Sequence, residues 1–137
     1  MTKDRIIKSL YRALYLARET EAKLLAELNA NKAGGVPKEY YKTITWKTLR
    51  ALARWLAPTL GCRNCRKSIR HGAHLECHHL YSRNAYRKLG YEDPRRDLAM
   101  LCDHCHDIIT ADHRKAMAGR SDQRNRRARR AALQKVA

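Results

Sequence analysis

Acidic residues are scarce in this chain of 137 residues: Asp and Glu total 13 against 30 Lys and Arg, a formal net charge of +17. An excess of that size works against a compact state by self-repulsion unless a polyanion answers it, and nucleic acid is the commonest such partner. A merely solvated basic surface and a membrane surface are the weaker readings. Long apolar runs are missing too. No stretch approaches the ~20 residues that a membrane span needs, and Met1-Thr2-Lys3-Asp4 leads into an amphipathic pattern rather than a signal-peptide core. No membrane partner is expected, and the cytoplasm is the expected location. Internal repeats are absent, so this length allows one compact domain, or one small domain with appendages. Cysteine is sparse as well, at five. Four of the five form two Cys-x-x-Cys pairs, and in a reducing compartment that spacing points to a metal rather than to disulfides.

What is present begins with helical periodicity. From Lys3 to about Asn31, Ile6, Ile7, Leu10, Leu14, Ala17, Leu24, Leu25 and Leu28 recur mostly at three- and four-residue steps. One amphipathic helix is predicted there, ended by Gly34-Gly35 and Pro37. Val36 to Thr43 reads as a loop, with Tyr40 and Tyr41 as anchors. A second helix is predicted from Thr45 as N-cap, with Trp46, Leu49, Leu52, Ala53 and Leu56 on one face, before Pro58 and Gly61. The first sixty residues thus read as a helical hairpin that adds positive charge and carries no ligand set. Beyond Met117, Arg120, Arg124, Arg126, Arg127, Arg129, Arg130 and Lys135 crowd a tail that has almost no large apolar residues. Its alanines permit helix, but its like charges and missing apolar face predict disorder in isolation. Phosphate contact is the expected role for this tail, a solubilising one the alternative.

Between these segments lies the chemistry. Cys62/Cys65 and Cys102/Cys105 clamp the two ends of a segment about forty residues long and make a four-thiolate Zn²⁺ site. Four protein ligands leave zinc no open position, so the site is structural. Redox activity at either pair is disfavoured, because neither stands in a strand-then-helix thioredoxin context. Cys77 lies in a short predicted strand with Leu75 and reads as a small buried hydrophobe.

The histidines carry a different signal. Hydrolysis of a phosphodiester needs a positioned water, a base to deprotonate it and a cation to offset developing charge, and an imidazole titrates in the right range for the base. Adjacent residues at a strand end can divide that labour between metal and water, and His78-His79 offers such a pair. His106 follows the last knuckle cysteine directly. His113 lies seven residues further along the same helix.

Leu75-Glu76-Cys77-His78-His79-Leu80, followed by Asp97-Leu98-Ala99-Met100-Leu101-Cys102-Asp103-His104-Cys105-His106, resembles the HNH family of ββα-metal endonucleases in its zinc-knuckle form. In that family a strand ends in His-His or Asp-His, an Asn-Leu follows a variable loop, and Leu-Cys-x-x-Cys-His opens a helix. The match runs from about Gly61 to Met117, less than half of the chain. The resemblance implies that His78 and His106 hold a catalytic divalent cation, Mg²⁺ or similar, and that His79 is the general base. It puts His113 near the phosphate. His104 reads as exposed and non-catalytic, and His71 and His74 receive no role. Asp97 stands where the family usually has Asn. Asp accepts the same bracing hydrogen bonds but, when ionised, cannot donate, so Asp97 is expected to serve as a brace or as a partner of the base. Arg83, Arg87, Lys88, Arg95 and Arg96, in the loop 82–96, would present cations to the nucleic-acid backbone, as would Arg124, Arg126 and Arg127 in the tail.

The expected fold is α+β: a helical N-terminal extension (1–60), a zinc-braced ββα-metal core (61–118) and a basic C-terminal tail (119–137). The expected activity is hydrolysis of DNA, most readily duplex, as nicking with little base readout, since no sequence-reading module is recognisable. A single site nicks one strand, whereas double-strand cleavage needs a dimer or two engagements. Monomer and homodimer both remain open. The rival readings are a non-catalytic zinc-ribbon protein that binds nucleic acid, for which Asp97 is the main support, and an RNase or toxin nuclease on the same core.

Overall fold

A computed structural model describes residues 1–30, 36–57, 61–68, 72, 74–80 and 88–136, with the backbone alone at 113, 114, 116–122, 135 and 136. Its elements run α1 (Lys3–Thr20), α2 (Ala22–Ala30), a 3-10 helix (Lys38–Lys42), α3 (Ile44–Leu56), β1 (Leu75–His79), β2 (Leu98–Cys102) and α4 (Asp103–Val136). The protein is thus a mixed α+β chain, and among the described residues its sheet has two strands. Two compact units are distinguishable, Met1–Asp103 and a second that begins at His104. Among the described residues no helix is long and apolar enough to cross a membrane.

The single long N-terminal helix expected from periodicity is two. Glu21 interrupts it, at φ −99° and ψ 11°, although its own N–H still donates to Ala17 O at 2.8 Å. Its side chain has another use. The carboxylate accepts from Ile44 N at 3.0 Å, Thr45 N at 2.7 Å and Thr45 Oγ1 at 2.7 Å, which places an anion on the positive end of α3. The same terminus is capped by Thr43, two residues before the predicted N-cap, whose Oγ1 accepts from Trp46 N at 3.1 Å. The segment expected as a loop closes into the 3-10 helix, and of its two tyrosines Tyr40 is fully buried, while Tyr41 is 43% exposed.

The expected apolar face of α3 is the middle of the core. Trp46, Leu49, Leu52 and Ala53 cluster with Leu14 and Leu25 of the first two helices, Tyr40, Leu89, and Leu98 and Met100 of β2. Each fully buried Leu contributes roughly 1.5–3 kcal/mol by leaving water. Residues from both sides of position 60 therefore share one core, which joins the helical extension to the strands.

β1 and β2 pair antiparallel, with Leu75 opposite Cys102, Cys77 opposite Met100 and His79 opposite Leu98. The first cysteine pair sits in a tight hairpin beside them. Gly61 bridges Ser68, Cys62 N donates to Lys67 O at 2.9 Å, and Arg63 N donates to Met100 O at 2.9 Å, tying the hairpin to β2. A Cβ at Gly61 would stand 2.9 Å from Lys67 O, so the turn admits no side chain there.

The second unit differs from its expectation. The basic tail expected to be disordered beyond Met117 continues as α-helix to Val136. Ala, Arg, Leu, Gln and Lys are strong intrinsic helix formers. The expected lack of an apolar face is there too, for residues 123–134 are all exposed. Local propensity carries this helix, not burial.

Candidate functional site

The cysteine knuckles converge. Cys62, Cys65, Cys102 and Cys105 bring their sulfurs within 4.8 Å of one another, and the Sγ atoms of Cys65 and Cys102 are 3.6 Å apart. Four thiolates at about 2.3 Å around one Zn²⁺ sit about 3.8 Å from each other in a tetrahedron, so the spacing and the all-sulfur donor set fit that ion. Cys62, Cys102 and Cys105 are buried and Cys65 is exposed. Burial alone would raise the Cys62 thiol, but backbone N–H groups of Cys102, Cys65 and Asn64 outweigh it and bring the group down to about 6. The turn is therefore built to hold a thiolate, the form that binds metal. Cys77 is not in this cluster. It packs partly against the core, and burial pushes its thiol up to about 12, as a small hydrophobe requires.

Of the sequence-predicted histidines, His78 and His79 end β1 and are partly buried, and His106 lies in the first turns of α4. A second cluster of possible metal ligands, His74, Glu76 and Asp103, is exposed throughout. Neither cluster includes His78, His79 or His106, whose expected cation has two protein ligands and so would not form a group of three.

His79 occupies a built environment. Its imidazole stacks on the indole of Trp46, with ring centroids 5.0 Å apart and planes 19° from parallel. Its Nε2 stands 3.6 Å from Oε2 of Glu92, whose side chain is completely inaccessible to water. Glu92 is in turn held by two groups, which also meet each other. The Tyr40 hydroxyl donates to Oε2, Gly90 N donates to Oε1, and Gly90 N also lies 3.0 Å from the Tyr40 oxygen. Burial, and then the Glu92 charge beside it, hold the Tyr40 phenol well above its usual range, so its proton stays in place to be donated. Trp46 itself packs against both Tyr40 and Tyr41, at centroid distances of 5.5 and 5.3 Å.

The loop that supplies Glu92 is fastened to the N-terminal helices. Arg18 Nε donates to Gly90 O at 2.6 Å and its Nη2 to Glu92 O at 3.3 Å, while its guanidinium lies 5.3 Å from the centre of the Tyr91 ring. Asn29 meets the backbone of Leu89 both ways, accepting its N–H at 2.7 Å and donating to its carbonyl at 3.0 Å. Gly90 has φ +90°, and a Cβ there would come within 2.8 Å of Leu25. The N-terminal segment, read from the sequence as having no chemistry, therefore furnishes Trp46 to the histidine and Tyr40 to the carboxylate. It also positions the carboxylate.

Asp97 braces the loop as an acceptor. Its Oδ2 takes the Asp93 N–H at 2.7 Å, its own N–H donates to Asp93 O at 2.9 Å, and its carbonyl accepts from Leu80 N at 2.9 Å, just past His79. These are bonds that Asp can make as well as Asn. Of the cations assigned to the nucleic-acid backbone, Lys88, Arg95 and Arg96 are exposed beside this loop, and Arg124, Arg126 and Arg127 are exposed on α4. Arg83 and Arg87 lie outside the described residues, as does the side chain of His113.

Sequence reasoning missed Glu92 and Trp46 as neighbours of His79, and Tyr40 as the partner of Glu92. The available signal was slight: two adjacent acids, Glu92 and Asp93, inside a loop of basic residues, the first of them two positions after a glycine. Comparison with family models, with curated protein sequences and with solved structures yields no match to the chain.

Proposed function

We propose that this protein is a metal-dependent endonuclease of the HNH type that hydrolyses DNA phosphodiester bonds, nicking duplex DNA with little sequence preference. The observation that carries the reading is the held imidazole of His79, which closes a strand with His78 beside it and is fixed by a stacked indole and a buried carboxylate. A histidine kept only for packing needs no charged partner, whereas a general base needs a defined direction for its lone pair. The +17 charge and the exposed Lys88, Arg95 and Arg96 suit a polyanionic substrate.

In this reading His79 accepts the proton of the attacking water, and its stack on Trp46 keeps the ring from swinging away. On the family resemblance His78 and His106 would hold a divalent cation, whose charge would offset that developing on the phosphoryl oxygens and on the leaving group. Two imidazoles suit Mn²⁺, Co²⁺, Ni²⁺ or Zn²⁺ better than Mg²⁺, which prefers oxygen ligands. Asp97 holds the loop through Asp93, and the exposed lysine and arginines neutralise substrate phosphates. The four-cysteine zinc braces the fold and takes no part in the chemistry.

The test is a supercoiled-plasmid nicking assay across Mg²⁺, Mn²⁺, Co²⁺, Ni²⁺ and Zn²⁺, comparing wild type with His79→Ala. Nicked circles from wild type and a loss of at least about 100-fold in the variant are expected, the usual worth of a general base. Equal activity in both proteins, or none in wild type with any metal, sinks the enzyme reading and leaves a zinc-braced binding protein. Faster cutting of single-stranded RNA than of duplex DNA would reassign the substrate.

A further inference from the structure

We infer that Glu92 is a positioning residue for His79: clamped by the Tyr40 hydroxyl and the Gly90 N–H, it sets the orientation and the tautomer of the imidazole. The inference rests on the reading of His79 as the base for its catalytic consequence, but its structural content stands apart from any activity.

A buried carboxylate is costly unless hydrogen-bonded and faced by a donor. Glu92 is 2% exposed and has two donors in Tyr40 and Gly90, which leaves His79 as the side-chain group across Oε2. At 3.6 Å the contact is longer than a hydrogen bond, and catalytic hydrogen bonds are often long until substrate is bound. An anion facing Nε2 favours a proton on that nitrogen. In a neutral imidazole the lone pair then falls on Nδ1, which becomes the atom able to take a proton from water. The Trp46 stack fixes the plane of the ring and Glu92 fixes its rotation within that plane, so the two contacts constrain different motions. The carboxylate is prevented from following the ring. Arg18 and Asn29 hold its loop to the helices, and Gly90 adopts a backbone angle that brings its N–H onto Oε1.

Glu92→Gln tests this, because it keeps shape and the acceptor for Gly90 N–H while presenting an amide N–H where the carboxylate oxygen faced His79. In the zinc-loaded full chain at alkaline pH, two-dimensional ¹H–¹⁵N spectra of the histidine rings, with His79→Ala to identify the signals, should show the Nε2–H tautomer in wild type. In Glu92→Gln the protonated and unprotonated ¹⁵N positions should exchange towards Nδ1–H, with the other histidines unmoved. An unchanged His79 tautomer in a folded variant overturns the inference. Should Glu92→Gln fail to fold, Tyr40→Phe decides, since it removes only the hydroxyl that clamps Oε2: a wild-type His79 spectrum there also overturns it. In the nicking assay, Glu92→Gln should lower kcat about 10-fold or more with KM little changed, because a carboxylate that orients a general-base histidine acts on the reaction step rather than on binding. Wild-type kcat in the variant counts against the inference. A wild type that does not nick overturns the nuclease reading alone, and the ring spectra then decide the role of Glu92.

Discussion

The Glu21 carboxylate and Thr45 meet twice, through the Thr45 backbone N–H and its hydroxyl, both at 2.7 Å, across a break in the helix that sequence periodicity had read as continuous. Burial opposes the charge on Glu21, but these bonds, the Ile44 N–H and nearby Lys47 together hold the group below its ordinary value of 4.5. A lowered carboxylate contributes stability that is complete above the unfolded value and drains away as pH falls through the lowered one. We expect Glu21→Gln to cost about 1 kcal/mol at neutral pH, the worth of an anion at a helix N-terminus. Urea unfolding of both proteins checks it: the gap should close as pH falls below 4.5. A gap that persists in acid would mean that the charge is not what holds the junction.

Gly90→Ala should destabilise the protein more than a surface substitution does. Its φ of +90° is unfavourable for any side chain, and the new methyl would stand 2.8 Å from both terminal carbons of Leu25. Strain and overpacking of this kind cost about 1–3 kcal/mol each. A fall in Tm is expected, together with disturbance of the Trp46 signal in near-ultraviolet circular dichroism, because the loop that carries Glu92 must shift. An unaltered Tm would show that the loop yields freely.

Metal analysis should find about one zinc per chain, and removing a ligand should remove it, since structural zinc is worth on the order of 10 kcal/mol to a small fold. Cys102→Ser is expected to lose zinc and unfold the knuckle together with the strand pairing, whereas Cys77→Ser, outside the cluster, should retain full zinc content. A folded, zinc-free Cys102→Ser protein would refute the assignment.

DNA affinity should fall steeply with salt, and deletion of the chain after Gly119 should flatten that dependence. Each arginine that neutralises a duplex phosphate adds about 0.9 to the slope of log K against log salt, and Arg124, Arg126, Arg127, Arg129 and Arg130 are exposed on the deleted helix. Filter binding over a salt series measures it. An identical slope in the truncated protein would mean that this helix touches no phosphate.

How much of the site could be read in advance follows from what kind of contact makes it. The cysteine cluster was legible because Cys-x-x-Cys pairs state their geometry within four residues, and the face of α3 was legible because helical packing is periodic. The break at Glu21 was not, because a carboxylate that leaves its helix to cap another does so across 24 positions. The helix beyond Met117 is hidden for the opposite reason: its like charges predict disorder, and the local propensity of Ala and Arg outweighs them.

What the sequence determined by itself is therefore local: a basic chain, amphipathic helices, two cysteine turns and a strand that ends in two histidines. Tertiary structure decided which groups surround the second of those histidines. Trp46 comes from 33 residues before His79 and Glu92 from 13 after it, and Glu92 is clamped by Tyr40, 52 positions away. No period or motif links such positions. They meet because the core of Leu14, Leu25, Leu49, Leu52 and Leu89 draws helices and loop together, and burial then leaves Glu92 stable only where the distant Tyr40 hydroxyl and the nearby Gly90 N–H both reach its carboxylate.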